Sequence, residues 1–380
     1  MTERSRSSRS TATTPDSSPS VVAVTGHRPT ELRGSIVGLD ATVIEVHGSS
    51  IRGRIKRIND DVRRALETQD PDVVVVDCHE LTGTLVALLA ARFSVPIVPR
   101  IVGDNWRGLR EDGINVARQR GDMAGQLKSH INLQLNSFIC SRAAGFLVVS
   151  NDLRRAVIEE TGISPDRVAV VPVPATRETH RSGTGARARE TFDIEEESVL
   201  LTVTNLSYDA KLSGTLTMVD EILPLLSANP DLAYVIAGDG SRRSELLSFL
   251  EKRVTHQAVR DQIYTPGYVD QVGDLYDLAD AFVYVSYRDG YPNAVLEAQA
   301  AGLAVVANDA YGLSEQISDG ETGLLIDPTA SGMLRDRIGS LLSNPQQRER
   351  LGGNAAERVR RENDPLVVSE QVASALERFT

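Results

Sequence analysis

Short apolar runs alternate with polar segments of helical periodicity along the first half of the chain. Runs at 21–24, 72–76 and 96–102 predict strands, and the segment 83–93 between two of them predicts a helix. The continuous valines of 72–76 are typical of a parallel strand buried on both faces. This βαβ rhythm predicts an α/β fold with a parallel sheet.

The second half of the chain repeats the pattern. Predicted strands lie at 199–203, 233–237, 281–285 and 303–307. Two α/β halves of similar size predict two facing Rossmann-like domains. Ligands of such sheets bind beyond the carboxyl ends of the strands, so we expect the site in the cleft between the halves.

Composition changes along the chain and so predicts the domain boundaries. The first 20 residues are mostly Ser, Thr, Arg and Pro, which cannot build a core, and we expect them to be disordered. A Pro-, Arg-, Gly- and Thr-rich run between the halves predicts a linker, and 103–121 is expected to be less regular. The predicted divisions are a tail at 1–20, a first domain at 21–180, a linker at 181–190, a second domain at 191–362 and a C-terminal helix at 363–380.

The bulk composition excludes several classes of protein. Hydrophobic residues make up 41% and charged residues 24% of the chain, as in an ordinary soluble domain. The net charge of -11 argues against general nucleic-acid binding. Cys78 and Cys140 form neither a disulfide framework nor a zinc spacing, so we expect a reducing, cytoplasmic environment. No signal-peptide core and no apolar run of about 18 residues is present, so no membrane span is expected.

One stretch, 289–301, combines a glycine turn with two acids. It reads Asp-Gly-Tyr-Pro-Asn-Ala-Val-Leu-Glu-Ala-Gln-Ala-Ala and follows the predicted strand 281–285. Gly290 and Pro292 break the apolar pattern, and a helix is predicted to begin near Asn293. The free N–H groups and partial positive charge of a helix N-terminus favour a phosphate. The plain alternative is a purely structural turn.

The two acids and one lysine sharpen that interpretation. Because like charges repel, Asp289 and Glu297 are poor diphosphate ligands, and we expect them to accept hydrogen bonds from sugar hydroxyls. Glu297 lies one turn into the helix and leans back toward its start, within reach of a ribose. Lys211, in a predicted loop after the strand 199–203, lies at the same sheet edge and is expected to neutralise the diphosphate. The alternative for Lys211 is a solvated surface lysine.

The second half also carries short motifs in a fixed order. They are Asn205-Leu206 followed by Lys211, Gly238-Asp239-Gly240-Ser241, Gly267-Tyr268-Val269, Asp289-x7-Glu297-Ala298, Ala301-Gly302-x-x-Val305-Val306, and Gly312-x-x-Glu315 through Asp319-Gly320-x-x-Gly323-Leu324-Leu325. In this order they resemble glycosyltransferase family 4, whose members are retaining, metal-independent enzymes with the GT-B fold. The resemblance covers about 199–328 most closely and extends more loosely over 71–174.

The resemblance implies a role for each matching residue. Glu297 would hold the ribose hydroxyls, Asp289 would contact the transferred sugar, and Lys211 would neutralise the leaving diphosphate. The final helix would pack back on the first domain. The positions implied in donor binding are Glu297, Asn205, Gly290, Tyr291, Pro292, Asn293, Ala294, Val295, Tyr268, Val269 and Gly238, with Tyr268 and Val269 beside the base.

The sequence departs from the family pattern at three positions. Asp289 stands where the family often has Glu, which keeps a carboxylate. Asn205 stands where the family often has Arg, which removes one cation from the diphosphate site. Val102 stands where many relatives have His, so Arg100 and Asp104, near the same strand end, become the candidate catalytic residues of the first domain.

Other polar residues of the first half allow two interpretations. His79 follows a strand end and is either structural or part of the site. The Gly26-His27 turn occupies the place of a glycine-rich loop in relatives. The histidines and acids show no metal-ligand spacing, so no bound metal is predicted. The basic stretch 52–64 is either a solvated helix face, balanced by nearby acids, or a contact with an anionic membrane surface.

These features predict a retaining glycosyltransferase that needs no cofactor. Its donor would be a nucleotide diphosphate-sugar, and its acceptor a hydroxyl of a glycan, a lipid-linked sugar or a polysaccharide. The enzyme would lie in the cytoplasm or at the inner face of the membrane. A GT-B scaffold subunit without activity is the alternative, motivated by Asn205 and Val102. A nucleotide-sugar epimerase is less favoured, because the first half shows no convincing set of catalytic acids.

Overall fold

The structure is a computed structural model, which describes residues 18–26, 29–46, 50–119, 121–175 and 184–380. Its twelve strands form two parallel sheets. The first sheet contains β1 (Val21–Thr25), β2 (Ala41–Glu45), β3 (Val73–Asp77), β4 (Ile97–Ile101), β5 (Phe146–Val148) and β6 (Val168–Val170). The second contains β7 (Ser198–Val203), β8 (Leu232–Ala237), β9 (Ile263–Gly267), β10 (Ala281–Tyr284), β11 (Ala304–Asn308) and β12 (Leu324–Ile326).

Helices connect the strands of each sheet. The first domain has α1 (Pro29–Ser35), α2 (Ile51–Arg57), α3 (Arg63–Gln69), α4 (Glu80–Arg92), α5 (Asn105–Gly108), α6 (Val116–Gln119), α7 (Met123–Cys140) and α8 (Asn151–Thr161). The second has α9 (Gly185–Thr191), α10 (Asp209–Ala228), α11 (Arg243–Arg253), α12 (Gln257–Asp261), α13 (Val272–Leu278), α14 (Asn293–Ala300), α15 (Leu313–Gln316), α16 (Met333–Ser343) and α17 (Pro345–Glu362). The final helix is α18 (Pro365–Phe379). Wider π-helical turns join α2 to α3 and α5 to α6.

The strand order fixes where each sheet can bind a ligand. The first sheet runs β2-β1-β3-β4-β5-β6, and the second runs β12-β11-β10-β7-β8-β9. The order reverses between β1 and β3 in the first sheet and between β7 and β10 in the second. Loops leave in opposite directions at such a switch point and open a crevice at the carboxyl ends of the strands.

Buried aliphatic side chains build the core on both faces of each sheet. All five residues of β3 are buried, as the continuous valines predicted. On one face of the first sheet, Val86 of α4 and Ile139 of α7 share a cluster with Val74. On the other face, Val372 and Leu376 of α18 pack with Val21 of β1. α18, which follows the second domain in sequence, thus packs on the first domain.

Three sequence predictions differ from the structure. Part of the predicted linker 181–190 is α9, whose buried Ala188 packs into the second-domain core. The sequence does not reveal this helix, because an apolar face of one turn is too short to give a helical periodicity. The stretch expected to be irregular, 103–121, is largely helical in its described residues. Lys211 lies in the first turn of α10 rather than in a loop.

Some sequence predictions fall outside the described residues or concern membranes. Residues 1–17 of the predicted tail lie outside them, whereas the backbone N–H of Ser20 donates to the Asp72 carboxylate at 2.8 Å. Among the described helices, none is both long enough and apolar enough to cross a bilayer.

Candidate active site

Lys211 and Asp289 meet at the switch point of the second sheet. Lys211 follows β7 and Asp289 follows β10, the two central strands between which the order reverses. The Lys211 Nζ lies 3.0 Å from the Asp289 Oδ2, and 21% and 13% of the two side chains are exposed. Lys211, the predicted cation for the diphosphate, and Asp289, the predicted hydrogen-bond acceptor for the sugar, therefore form an ion pair.

A buried tyrosine holds the same oxygen of Asp289. The phenol of Tyr284, the last residue of β10, donates to Asp289 Oδ2 at 2.8 Å. Burial of the ring raises the pKa of Tyr284 well above its usual value, and the charge of Asp289 raises it further. The phenol therefore stays protonated and acts as a hydrogen-bond donor to the carboxylate.

A second buried tyrosine holds the other acid of the turn. Glu297 lies in the second turn of α14, and the phenol of Tyr276 donates to its Oε2 at 2.8 Å. Burial raises the pKa of Tyr276 well above its usual value, and Glu297 adds to the rise. Each acid of the motif thus has its own tyrosine, which orients one carboxylate oxygen.

The turn between the acids lies against the first domain. α14 begins at Asn293, as predicted, with Pro292 as its N-cap residue. A Cβ on Gly290 would lie 2.6 Å from the backbone oxygen of Val102, so only glycine permits this approach. Leu296 of α14 is buried in one cluster with Trp106 of the first domain. The turn 289–292, called the donor turn here after its predicted role, is therefore also part of the interface between the domains.

The remaining predicted donor positions follow other strands of the same sheet, at its carboxyl end. Gly238 follows β8, and Tyr268 and Val269 follow β9; Tyr268 is 74% exposed, whereas Val269 packs on the second-domain core. Asn205 follows β7, and its Oδ1 accepts from Ser207 N at 2.9 Å. The predicted positions in the turn itself are Gly290, Tyr291, Pro292, Asn293, Ala294 and Val295.

Arg242 lies beside the loop that carries Asn205. Its backbone N–H donates to Leu206 O at 2.9 Å, and its guanidinium lies 2.5 Å from Asp209 Oδ1. Asp209 opens the helix that carries Lys211. Arg242 thus brings a guanidinium to the region of Asn205, where the resemblance leads us to expect an Arg.

Arg100 is buried within the first domain rather than presented to open solvent. Only 4% of it is exposed, and its guanidinium lies 3.4 Å from Asp77 and 3.5 Å from Glu31. Thr25 donates to the second Asp77 oxygen at 3.0 Å. Three neighbouring strand ends therefore contribute to one buried polar cluster.

Glu31 links that cluster to the donor turn. Its Oε1 accepts from the side-chain amide of Asn293 at 2.5 Å, across 262 residues of sequence. Asn293 is the first residue of α14, so the first domain contacts the helix end that is predicted to face the phosphates.

The other first-domain candidates lie around the same edge. Asp104 accepts from the backbone N–H of Arg107 at 2.9 Å and so caps the short helix α5. His79 is the N-cap residue of α4 and lines a small cavity with Cys78 and Trp106. Gly26 follows β1, with its N–H 3.4 Å from the carbonyl oxygen of Asp77. His27 lies outside the described residues.

No candidate metal centre is visible in the part of the chain that the structure describes. Within it, no three His, Cys, Asp or Glu side chains are grouped closely enough to hold an ion. The catalytic and binding roles of all these residues stay predictions.

Sequence reasoning missed several residues at this site. A tyrosine within an otherwise apolar strand, such as Tyr284, is a signal for a buried acceptor nearby, because a buried phenol needs a partner. No comparable signal marks Glu31 or the ion pair of 2.9 Å between Arg288 and Glu111, because both contacts join distant parts of the chain.

Comparison with known proteins agrees with this architecture. The family described as "Glycosyl transferases group 1" matches residues 186–358, and the "Glycosyl transferase 4-like domain" matches residues 15–174. The chain belongs to glycosyltransferase family 4. Together with the two parallel sheets, this confirms the predicted GT-B fold.

Relatives of this family 4 member are distant in sequence. An alpha-D-kanosaminyltransferase of Streptomyces kanamyceticus is 25% identical over 57% of this chain and 55% of its own. A D-inositol 3-phosphate glycosyltransferase of Frankia alni is 24% identical over 83% of this chain and 77% of its own. The match thus spans about half the length of the first relative. HepE of Anabaena superposes with a TM-score of 0.71 at 17% identity, covering 94% of this chain and 99% of its own.

The Tyr276–Glu297 hydrogen bond gives a prediction that needs no substrate. Tyr276→Phe keeps the packing of a ring that is 1% exposed but removes the donor to a carboxylate. We expect the free energy of unfolding in urea to fall by about 1–3 kcal/mol. Tyr268→Phe, at a ring 74% exposed, is the control and should change it little. Equal unfolding midpoints for Tyr276→Phe and the native protein would contradict the assignment.

Proposed function

We propose that the protein transfers a sugar from a nucleotide diphosphate-sugar to a hydroxyl acceptor, with retention of the anomeric configuration. The observation that carries this proposal is the position of Lys211 and Asp289 at the switch point, next to the start of α14. A lysine ammonium and a helix N-terminus together favour the negative charge of a diphosphate. Asp289 and Glu297 then serve the sugar and the ribose on either side.

The family and its relatives support a nucleotide-sugar donor. Among the structural neighbours, HepE has been crystallised with UDP and with UDP-glucose. In the present protein, the exposed ring of Tyr268 and the neighbouring Val269 border the place proposed for the base. The free N–H groups at the start of α14 would face the diphosphate oxygens.

The proposed reaction needs positive charge where the leaving group forms. The bond between the anomeric carbon and the diphosphate oxygen breaks, the acceptor oxygen bonds to that carbon, and the acceptor hydroxyl loses its proton. Lys211 is proposed to move from Asp289 to the diphosphate as negative charge develops there. With α14 and Arg242 nearby, we propose that transfer proceeds without a metal or another cofactor. The diphosphate itself is the candidate base.

The first domain is proposed to bind the acceptor. Asp104 lies near the end of β4, at the edge that faces the donor turn. Arg100 forms ion pairs with Asp77 and Glu31, and we propose that it orients Glu31 toward Asn293. Opening and closing of the domains would admit the acceptor and complete the site.

The donor proposal predicts which variants lose activity. With a panel of UDP-, GDP- and dTDP-sugars, we expect the protein to transfer or hydrolyse at least one donor. Lys211→Ala should lower turnover on the order of 10²-fold, because the leaving diphosphate loses its cation. Glu297→Gln should weaken donor binding by about tenfold, because a charged hydrogen bond to ribose is lost. Lys252→Ala, an exposed lysine on α11, is the matched control.

Two outcomes of that assay would overturn parts of the proposal. Nucleotide binding without turnover across the panel favours the scaffold alternative. Full turnover of Asp289→Asn together with lost donor binding of Glu297→Gln removes the sugar role of Asp289 and leaves only the nucleotide site.

We also propose a cytoplasmic enzyme that contacts an anionic membrane surface, where a lipid-linked acceptor would lie. Cys78 and Cys140 are both free thiols, which is typical of a reducing compartment. α2 carries four basic residues and no acid, in a protein of net charge -11. Those four are Arg52, Arg54, Lys56 and Arg57.

α7 also favours contact with a membrane surface, because it exposes apolar side chains. Met123, Leu127 and Ile131 are 81%, 62% and 50% exposed at a spacing of four residues, whereas Ser129 and Asn132 on the inner face are buried. Over the first part of α7 this is the reverse of an ordinary surface helix, whereas Ile139 near its end is buried in the first-domain core. α2 and α7 flank α4 on the same side of the first sheet.

Vesicle flotation at low salt tests the membrane proposal. We expect binding to vesicles that contain phosphatidylglycerol and not to pure phosphatidylcholine. Replacing Arg52, Arg54, Lys56 and Arg57 together by Gln should reduce binding at least about tenfold, because each basic residue contributes to attraction by anionic lipid. Lys252→Gln, an exposed lysine in the second domain, is the control. If the native protein does not bind the phosphatidylglycerol vesicles at low salt, the membrane proposal is wrong.

A further inference from the structure

Glu315 of the second domain closes the end of a helix in the first domain. Its Oε2 accepts from the backbone N–H of Asn151 at 2.7 Å and from the Asn151 side-chain amide at 2.8 Å. Its Oε1 accepts from the backbone N–H of Asp152 at 2.9 Å. One carboxylate thus receives three hydrogen bonds from a segment more than 160 residues away.

These bonds complete a helix cap that the first domain leaves unfinished. The first N–H groups of a helix have no partners within it. In α8, the N-cap residue Ser150 accepts only from Leu153 N with its side chain, at 3.2 Å. The N–H groups of Asn151 and Asp152 go to Glu315 instead. A carboxylate is favoured there, because the helix N-terminus carries partial positive charge.

The short helix that carries Glu315 is bonded to the donor turn. Gly312 N donates to Asp289 O at 3.2 Å, and the buried side chain of Gln316 donates to Pro292 O at 3.3 Å. A Cβ on Gly312 would lie 1.6 Å from the Gly290 oxygen, so the two backbones touch. α15 and the donor turn therefore pack against each other as one unit.

α8 meets the same turn from the other side. A Cβ on Gly290 would lie 2.8 Å from Leu153 Cδ1, in the first turn of α8. Arg358 of α17 also donates to the backbone oxygen of Glu315 at 2.9 Å, which holds α15 at its other end. The carboxylate thus connects a helix braced in the second domain to a helix packed beside the donor turn.

We propose that Glu315 is a positioning residue that sets the first domain over the donor turn by capping α8. Its effect on turnover rests on the proposed glycosyl transfer, whereas its control of the domain interface does not. The two defined residues of the motif Gly312-x-x-Glu315 then have separate roles. Gly312 leaves room for the backbone of the donor turn, and Glu315 binds α8 of the first domain. Loss of the carboxylate loosens the interface and leaves the donor pocket residues in place.

Hydrogen exchange measures the cap directly. In Glu315→Gln, an NH₂ group replaces one carboxylate oxygen and cannot accept a hydrogen bond from the backbone of α8. The backbone N–H groups of Asn151 and Asp152 should therefore exchange about tenfold faster. Glu321→Gln removes the same charge from an exposed position on the following loop and should leave both amides unchanged. Asn151→Ala removes one of the three donors and should give a smaller effect at Asp152. Unchanged exchange in Glu315→Gln overturns the proposal, whether or not the protein turns over a sugar.

Kinetics then separate positioning from a general loss of stability. Using the donor that the panel identifies, Glu315→Gln should lower transfer to an acceptor about tenfold, while hydrolysis of the donor and its KM change less than about threefold. Equal losses of transfer and hydrolysis, or a loss confined to donor KM, would overturn the positioning role. If the native protein turns over no donor, the glycosyl-transfer proposal fails, and the exchange experiment alone decides the mechanical claim.

Discussion

The ion pair between Lys211 and Asp289 is the contact on which the site depends. It joins the helix after β7 to the turn after β10, across the point where the strand order of the second sheet reverses. Tyr284 donates to the same carboxylate oxygen, so the acid keeps one partner if the ammonium leaves. In the proposed mechanism Lys211 changes partner, because a diphosphate carries more negative charge than the carboxylate of Asp289 and attracts the ammonium more strongly.

The donor turn also carries the interface between the domains. Gly290 admits the backbone of Val102, Asn293 donates to Glu31, and Leu296 is buried against first-domain side chains. Binding at the turn and the arrangement of the domains are therefore physically linked, because the same short segment takes part in both. The helix end that faces the proposed phosphates is the end that the first domain contacts.

Much of the fold could be predicted from the sequence, because local patterns determine it. The valines of β3, the glycine turn at 290 and the helix from Asn293 are all visible in short windows. The error over Lys211 arose because its polar first helical turn resembles a loop. Contacts such as Glu31 with Asn293, or Glu315 with α8, join residues more than 160 positions apart and have no local signal. The position of Arg100 near a strand end makes it a catalytic candidate from sequence, but strand position alone does not reveal that its side chain is buried.

A crystal structure with a nucleotide diphosphate bound, chosen from UDP and GDP, tests the central claim most directly. We expect Lys211 Nζ to leave Asp289 and to lie within hydrogen-bond distance of a phosphate oxygen, about 2.7–3.0 Å. We also expect the ribose on Glu297 and the diphosphate at the start of α14. A nucleotide bound elsewhere, with Lys211 still 3.0 Å from Asp289, would contradict the assignment of this site.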